Sequence, residues 1–564
     1  MKTRFLCALM VLVCLMTLGC TATAADKETV IVLSDGEITV DGQAASRDES
    51  AAVYLSNDII YYEDRTAYDS GNPYGEGTVE ERHSADEAAA HTVVNIAKPG
   101  TYRISGTLSA GQIRVDLGED ADKDPNAVVT LVLDNLTITC TVAPGIVFMN
   151  VYECDGDWST DTASSTVDTT AAGANIVLAQ GSVNTVNGGH VARIYKDKEG
   201  EKKLWKQDGA VYSYMSMNVN AEGDGSGVLN INADNEGLDT ELHLTINGGN
   251  IHIFADNDGI NTNEDYVSVT TINGGNIHIL AGLGVEGDGI DSNGWLVING
   301  GTVISAANPA ADAGLDSDMG SFVNGGTVVA LGSTMDWAES DSEQVTLNLQ
   351  FADYNNSGDA IVICDTEGTP VFAYDPSADE VTGSLQRRFQ GCVISTPALQ
   401  LEGTYTVHIG GDITGTEVEG VYDTSTITAY ENGRQQIYTG TDVMSFPHFG
   451  AMGGFGDRQN PFGNAANPLD TLPREQYDAL AQGEVPAGMT AEDLAKILQD
   501  VIAATGNNAS APAQPEMPPN DGFQPSDGSF GGQAPVADAD PADARSLFYM
   551  QDKVNCFSGV DAAE

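Results

Sequence analysis

The sequence predicts an all-β protein: a parallel β-helix of about 26 residues per coil, a C-terminal β cap and a low-complexity tail. The main observation is a phrase of Ile or Val followed by Asn-Gly-Gly, repeated at Asn247, Asn273, Asn299 and Asn324 with spacings of 26, 26 and 25 residues. A fixed period of this size predicts stacked repeats that bury their apolar faces against one another. A second observation is period-two alternation of apolar residues in short runs such as 100–108, which indicates strands.

The repeat also excludes other architectures of similar length. Asn-Gly and Gly-Gly tolerate the positive φ that a tight turn requires, so each phrase predicts a turn between two short strands. Leucine-rich repeats have a similar period, but their leucine pattern is missing from this sequence. A β-propeller blade needs about 40 residues.

The remaining segments are assigned from composition and alternation. The expected order is a signal peptide, an N-terminal β segment, the β-helix, the β cap, a Pro/Gly-rich region with a short helical segment near 472–505, and a closing segment. The corresponding ranges are 1–24, 26–92, 93–343, 344–432, 433–545 and 546–564.

The first 24 residues predict export. Lys2 and Arg4 precede an apolar run over 5–18, which is too short to span a membrane and typical of a signal peptide. Two cleavage sites compete: Cys20 lies in a lipoprotein-like box, which would give a lipid anchor, and the Ala-Thr-Ala over 22–24 suits release as a secreted protein. Both alternatives place the protein outside the cytoplasm or on the cell surface.

The charge of the chain excludes several classes of partner. Lys and Arg total 24 against 82 Asp and Glu, a formal net charge of −58. Such a chain repels nucleic acid and anionic membranes, so membrane attachment is expected only through the lipid anchor. A hydrophobic content of 41% argues against global disorder.

Export permits disulfides, but the cysteines do not form a disulfide framework. Cys140 with Cys154 and Cys364 with Cys392 are plausible local pairs, which leaves Cys556 without a partner. Buried thiols with one or two bridges are the simpler expectation. No spacing of cysteines or histidines indicates zinc.

A second repeated phrase, Gly followed by Leu or Ile and then Asp or Asn, carries the candidate metal ligands. They are Asp234, Glu236, Asp239, Asp256, Asp258, Asn261, Glu286, Asp288, Asp291, Asp312, Asp316 and Asp318. Carboxylates stacked about 4.8 Å apart would repel by about 3 to 4 kcal/mol per pair at an effective dielectric constant near 20. Asparagine breaks such a column, as at Asn261, and a hard cation bridges it; Ca²⁺ prefers such oxygen ligands.

No basic side chain is available nearby, since residues 207–386 contain no Lys or Arg against 28 Asp and Glu. We therefore expect Ca²⁺ on this face, with solvated, outward-facing turns as the alternative. EF-hand and nonapeptide calcium motifs do not fit. Individual ligands are not assigned, because positions 239, 261, 291 and 316 lie 22, 30 and 25 residues apart, which predicts that the coils drift out of alignment.

Four side chains are candidates for contact with a carbohydrate: His252, His278, Trp205 and Trp295. The two histidines are one repeat apart and alternate with isoleucines, so they should point outward as a stacked surface pair. A purely structural role is the alternative for all four. The asparagines of the Asn-Gly-Gly phrase should form a hydrogen-bonded ladder along one turn.

Several motifs resemble an exported bacterial family of carbohydrate-binding domain proteins. The resemblance rests on residues 100–108, 209–213 and 555–560 and on the Gly-Ile-Asp turns with their Asn-Gly-Gly-Thr partners, and it covers roughly 90–430. It implies a right-handed parallel β-helix like that of pectate lyases, bound calcium, and affinity for plant cell-wall polysaccharides, including acidic ones.

The predicted function is therefore a non-catalytic, calcium-binding protein that binds a plant cell-wall or pectin-like polysaccharide at the cell surface. A calcium-dependent polysaccharide lyase is the first alternative, but it needs a strong base, normally Lys or Arg, which the regular coils lack. A hydrolase with paired Asp residues and a surface adhesin or structural protein are the others. No catalytic residue is predicted.

Overall fold

The structure is a computed structural model that describes residues 28–439, apart from 64–76, 78–80, 157, 196–202, 311, 334–335, 340, 356–357, 386, 402 and 432. The predicted signal peptide, Cys20, Cys556, the segment near 472–505, nearly all of 433–545 and the closing segment 546–564 lie outside the described residues. Within the described part of the chain, no helix is long and apolar enough to cross a membrane.

The fold is nearly all β. The described residues include one α-helix, α1 (Ala85–Ala90), and three short 3-10 turns at Ala121–Lys123, Pro376–Ala378 and Thr424–Thr426. A capping box starts α1: Ser84 Oγ accepts from the Glu87 backbone N–H, and the Glu87 carboxylate accepts from that of Ser84. The sequence interpretation expected only β segments here, and it overlooked this Ser-x-x-Glu signal.

Thirteen strands precede the regular repeats. They are β1 (Thr29–Leu33), β2 (Thr39–Val40), β3 (Gln43–Ala44), β4 (Val53–Ser56), β5 (Thr92–Ile96), β6 (Gly100–Leu108), β7 (Gly111–Asp116), β8 (Val129–Cys140), β9 (Ile146–Asn150), β10 (Ala174–Leu178), β11 (Val183–Gly188), β12 (Val191–Tyr195) and β13 (Lys203–Gln207). Most of them pair in parallel, but β1 with β2, β2 with β3, β4 with β5 and β12 with β13 are antiparallel.

The repeats form three stacks of short strands. Stack A consists of β15 (Met217–Ala221), β18 (His243–Ile246), β21 (Val269–Ile272), β24 (Trp295–Ile298) and β27 (Gly320–Val323). Stack B consists of β16 (Val228–Ala233), β19 (Asn250–Ala255), β22 (Asn276–Leu280), β25 (Thr302–Ala306) and β28 (Thr327–Gly332). Stack C consists of β14 (Gly209–Ser213), β17 (Glu236–Thr240), β20 (Ile260–Thr262), β23 (Ile290–Ser292) and β26 (Asp316–Ser317).

Strands within each stack are parallel and in continuous register. In stack B, for example, Ile251 pairs with Ile277, Ile277 with Val303 and Val303 with Val328. All four side chains are fully buried in one apolar core that the three stacks share. Full burial of such a side chain contributes about 1.5 to 3 kcal/mol, so the repeated apolar positions stabilise the stacking.

The C-terminal strands are mostly antiparallel. They are β29 (Thr346–Asn355), β30 (Ile361–Cys364), β31 (Pro370–Tyr374), β32 (Phe389–Ser395), β33 (Thr404–Ile409), β34 (Asp412–Thr414), β35 (Glu417–Val418), β36 (Val421–Tyr422), β37 (Ala429–Glu431) and β38 (Arg434–Thr439). β32 pairs antiparallel with β28, the last strand of stack B, and with β29. The exposed edge of that stack is thereby covered, as an unpaired edge would invite aggregation.

The two suggested disulfides are not formed. Cys140, Cys154, Cys364 and Cys392 are free thiols. Cys364 lies on β30, in a six-stranded antiparallel sheet, whereas Cys392 lies on β32, in the large sheet that contains stacks A and B. Cys140 is packed in an apolar cluster. Cys140, Cys364 and Cys392 are buried, as the simpler expectation states, but the one or two bridges that it included are not formed among these four cysteines.

Candidate functional site

The acidic turns lie in strict register along stack C. Strand pairing places Asp239 beside Asn261, Asn261 beside Asp291, and Asp291 beside Asp316, which we call the Asp239 column. The expected drift between coils was therefore wrong. The unequal spacing of these residues along the chain comes from loops of different length between the strands. Backbone hydrogen bonding between parallel strands keeps equivalent positions about 4.8 Å apart.

A second acidic column runs beside the first. Glu236, Asp258 and Asp288 each stand two residues before the paired core positions of β17, β20 and β23, and we call them the Glu236 column. Backbone hydrogen bonds of 3.0 Å join these turns, from the N–H after Glu236 to the Asp258 carbonyl and from the N–H after Asp258 to the Asp288 carbonyl. Carboxylates from successive coils therefore converge on one face.

Amide groups and backbone N–H groups relieve part of the repulsion. Asn261 Nδ2 donates to Glu236 Oε1 at 3.0 Å, and Asn263 Nδ2 donates to Asp239 Oδ1 at 2.5 Å. The Asp288 backbone N–H donates to Asp258 Oδ1 at 2.7 Å. The expectation that Asn261 interrupts the column of charge is confirmed.

Three carboxylates form a cradle of the size that holds a metal ion. One oxygen each of Asp208, Glu236 and Asp239 lie within 4.8 Å of one another, and Glu236 and Asp239 are buried. Gly209 makes this approach possible, because a Cβ at that position would lie 2.6 Å from Asp239 Cβ. We call these three acidic residues the Asp208 cradle.

The ligand atoms of the Asp208 cradle and its surroundings are of the type that calcium prefers. Every candidate ligand is an oxygen, from carboxylates or from an amide, and Ca²⁺ takes six to eight oxygen ligands in flexible geometry. Asn261 is 5% exposed, and among the described residues no hydrogen-bond donor reaches its Oδ1 atom. A buried carbonyl oxygen left without a donor is costly, and a bound cation would satisfy it.

The pKa values show how strongly the columns resist carrying full negative charge. Burial, then the charge of Asp316, raises the pKa of Asp288 to about 8, with Asp312 and Glu286 adding to the effect. Burial, followed by neighbouring carboxylates, also raises the pKa values of Asp258 and Asp291 well above the usual range. Protons or a cation must therefore neutralise part of this face.

A histidine pairs with two carboxylates at the edge of the acidic face. His190 Nδ1 lies 2.9 Å from Asp234 Oδ1, and its Nε2 lies 3.1 Å from Glu81 Oε1. Burial would lower the pKa of His190, but hydrogen bonds to the two carboxylates outweigh it and raise the pKa to about 10. Burial, then the charge of Asp234, raises the pKa of Asp256 to about 6.

The other predicted acidic residues lie along the same face with less burial. Asp312 Oδ2 accepts from the Gly287 backbone N–H at 2.8 Å. Asp318 follows the end of β26, and its backbone N–H donates to the carbonyl of Ser292, the last residue of β23, at 3.0 Å. Asp234 and Glu286 are exposed. The predicted set thus converges on one side, although only Glu236 and Asp239 belong to the Asp208 cradle.

The two histidines point away from the core, as the alternation predicts, but they are covered. His278 is 1% exposed, and its Nδ1 lies 2.7 Å from Asp379 Oδ2 of the C-terminal segment. His252 Nε2 lies 3.3 Å from Glu419 Oε1. The expected exposed surface pair is therefore wrong for His278, which is out of reach of a ligand in this arrangement.

The two tryptophans have different positions. Trp295 starts β24 and is half-buried beside Val269 and Gly320 in the register of stack A. Trp205 lies on β13, and its side chain is outside the described set. Neither observation tests their predicted contact with a carbohydrate.

Sequence reasoning missed Asp208 and His190. Asp208 stands before the first regular repeat, so it belongs to none of the Gly-Leu/Ile-Asp phrases, although its neighbour Gly209 opens one of the motifs that carry the resemblance. His190 reaches Asp234 across 44 residues. A pattern search within the repeats finds neither residue.

Comparison with known proteins identifies similarity to proteins described as containing a carbohydrate-binding domain. Residues 90–171 and 155–344 match the profile of a family described as carbohydrate-binding domain-containing protein. A protein of Acetivibrio thermocellus with that description is 32% identical over 163 residues, which cover 29% of this chain and 45% of the relative. The chain thus spans less than half the length of that relative.

A solved structure is also similar at low identity. It is described as the polysaccharide lyase-like protein from C. thermocellum, in a gadolinium derivative. The match is 22% identical and covers 55% of this chain and 94% of that chain, with a TM-score of 0.32. A TM-score this low does not establish a common fold.

Proposed function

We propose that this protein is exported and acts as a non-catalytic, calcium-binding protein that binds polysaccharide at the cell surface. The observation that carries the proposal is the Asp208 cradle, which lies in the part of the chain similar to carbohydrate-binding domain proteins. Export rests on the N-terminal sequence pattern, with lipidation at Cys20 and free secretion as its two forms.

The fold that supports this function is a parallel β-helix. The chain visits stacks A, B and C in that order in each coil, from β15 to β16 to β17 and then back to stack A at β18. Parallel strands joined in this way within one sheet are nearly always connected in a right-handed sense. A long, regular surface of this kind suits a periodic polymer.

Calcium has a structural role in this proposal. Asp208, Glu236 and Asp239 would hold it, with Asn261 Oδ1 as a further oxygen ligand. The bound ion would neutralise the acidic columns of adjacent coils and so fix their stacking. Where its coordination is open, the same ion would bridge to the carboxylates of an acidic glycan.

A calcium-dependent lyase is the second candidate, favoured by one contact. Arg387 Nη2 donates to the carbonyl of Gly282, in the loop that leads to Glu286 and Asp288. A guanidinium therefore reaches the neighbourhood of the acidic face from the C-terminal segment. In a lyase, the neutral guanidine form of such a side chain would accept the proton next to a uronate carboxylate and become a guanidinium.

Binding and turnover measurements separate the two functions. The full chain, with calcium, is incubated with insoluble cellulose and with polygalacturonate; bound protein is measured by sedimentation and affinity electrophoresis, and unsaturated product by ultraviolet absorbance. Binding without product is expected. Steady, calcium-dependent product release that is lost in Arg387→Gln would establish the lyase instead, and failure to bind any polysaccharide would overturn both.

A further inference from the structure

We propose that the outer surface of stack A forms a groove that binds a neutral glycan. This inference rests on the proposed polysaccharide-binding function and adds to it the location of the site and the class of glycan. The groove is distinct from the acidic columns, which lie on stack C. A cavity of about 700 Å³ follows successive strands of stack A.

The floor of the groove repeats once per coil. Strand pairing aligns the outward-facing positions of the five strands, which are Asn218, Thr245, Thr271, Val297 and Phe322. All five line the cavity. Because neighbouring strands are about 4.8 Å apart, the floor extends for roughly 20 Å along the stack.

A ladder of asparagine side chains borders this floor two residues further along each strand. Asn247 donates to Asn220 at 2.9 Å, Asn273 to Asn247 at 2.9 Å, Asn299 to Asn273 at 2.9 Å and Asn324 to Asn299 at 3.0 Å. The hydrogen-bonded ladder expected from the Asn-Gly-Gly phrase is therefore confirmed. We call it the asparagine ladder.

The asparagine ladder retains hydrogen-bonding capacity toward solvent. A side-chain amide offers two N–H donors and two acceptor lone pairs, and the ladder uses one donor and one lone pair of each inner asparagine. Asn247, Asn273 and Asn299 are exposed. A row of paired donors and acceptors at constant spacing matches the hydroxyl groups of an extended glycan.

Both ends of the groove are defined by other segments. At one end, Thr169 Oγ1 bonds to Asn218 Oδ1 at 2.8 Å and to Thr245 Oγ1 at 2.7 Å, so its loop lies across the first two strands. At the other end, the Glu343 backbone N–H donates to Asn324 Oδ1 at 3.1 Å. The open part of the groove therefore extends from Thr271 toward β27, the last strand of stack A.

The open part also contains an apolar platform. Phe322 is half-buried, and Val297, its register neighbour, is 8% exposed. A binding site that combines a few apolar contacts with convergent polar groups is typical for small ligands. The aromatic ring of Phe322 offers a surface for the C–H face of a sugar ring.

The charges of the groove select a neutral ligand. Asp168, Asp341 and Glu343 line it, and its described lining includes no Lys or Arg. The three carboxylates would repel a polyuronate, and they belong to neither of the acidic columns that we assign to calcium. A neutral polymer is not repelled by these carboxylates and can contact the amides, the hydroxyl groups and the apolar platform beside them.

The test measures binding of the full chain, in the presence of calcium, to soluble neutral glycans and to polygalacturonate. The neutral probes are hydroxyethylcellulose, xyloglucan and galactomannan, examined by affinity electrophoresis. Thr271→Glu places a charge in the middle of the floor, and Phe322→Ala removes the platform. Thr107→Glu is the matched control, since Thr107 is an exposed threonine on β6 outside the groove.

We expect at least one neutral glycan to bind, with affinity reduced about tenfold or more in Thr271→Glu and in Phe322→Ala and unchanged in Thr107→Glu. Thermal unfolding establishes that each variant is folded, and either groove variant alone is sufficient for the test. Unchanged binding in both groove variants would overturn the groove and leave the proposed function intact. Binding to polygalacturonate alone would overturn only the proposal that the ligand is a neutral glycan. Binding to no glycan would overturn the proposed function as well.

Discussion

Asp291 and Asp316 occupy the same register position on the neighbouring parallel strands β23 and β26. Burial and then the charge of Asp316 raise the pKa of Asp291 well above the usual range for a carboxyl group. The strand pairing that stabilises the stack therefore also forces like charges together. Relief of that repulsion by protons or by a cation should be measurable.

The stability of the calcium-free protein should fall as pH rises from about 4 to about 8. The pKa of Asp288 is about 8 in the folded protein against an ordinary value of 3.8. Between these values the folded state keeps a proton that the unfolded state has lost, so deprotonation at higher pH opposes folding. Urea unfolding in excess chelator, near pH 5 and near pH 8, measures the difference.

Asp288→Asn removes one of the titrating groups and should make that pH dependence shallower. In the wild-type protein, calcium should reverse the loss of stability at higher pH, because the ion binds the deprotonated carboxylates. A chelated wild-type protein that is more stable near pH 8 than near pH 5 would contradict the assignment of raised pKa values to this face.

Calcium should stabilise the folded protein through the Asp208 cradle. An ion concentration about 100-fold above the dissociation constant adds about 2.7 kcal/mol to the free energy of unfolding. Glu236→Gln should weaken calcium binding about tenfold or more, measured by titration calorimetry, because it removes one buried carboxylate ligand. Glu367→Gln, at an exposed turn, is the control. Equal thermal midpoints in calcium and in chelator would disprove the site.

Gly209→Ala should disturb the same cradle without changing its charge. The added Cβ would lie 2.6 Å from Asp239 Cβ, so the backbone or Asp239 must shift. We expect lower calcium affinity and a loss of about 1 to 3 kcal/mol, which is typical of overpacking. Gly156→Ala is the matched control, because no atom lies within 4 Å of a Cβ at that position. Identical behaviour of the two variants would show that the close approach is unimportant.

The contact between His278 and Asp379 should hold the C-terminal segment against stack B. Both side chains are 1% exposed, and Tyr374 also donates to Asp379 Oδ2 at 3.1 Å. Asp379→Ala would leave these buried groups without their partner, at a cost of about 3 to 5 kcal/mol. Urea unfolding measures the change, again with Glu367→Gln as control. A loss below about 1 kcal/mol would mean that the contact contributes little.

The asparagine ladder should contribute cooperatively to stability. Asn273→Ala removes two side-chain hydrogen bonds, each worth about 0.5 to 1.5 kcal/mol. Asn299→Ala removes the bond that it shares with Asn273 and a second one to Asn324. The double variant should therefore lose less than the sum of the single variants when unfolding free energies are compared in a double-mutant cycle. Strict additivity would show that the shared bond has no energetic weight.

The repeat itself determined much of this protein from sequence alone. The period of Asn247, Asn273, Asn299 and Asn324 predicted stacked coils and the asparagine ladder, because equivalent positions of identical repeats must lie beside one another. The excess of acidic residues, and the lack of Lys and Arg over 207–386, indicated a face that attracts cations. These properties are local or compositional, so they can be read along the chain.

Only the tertiary structure decided which groups meet. The hydrogen bonds between strands set the register of Asp239, Asn261, Asp291 and Asp316, and loops of unequal length conceal that register in the sequence. His278 is buried by Asp379, which is 101 residues away along the chain. Burial and register depend on contacts between distant segments, and the spacing of motifs within a repeat contains no information about them.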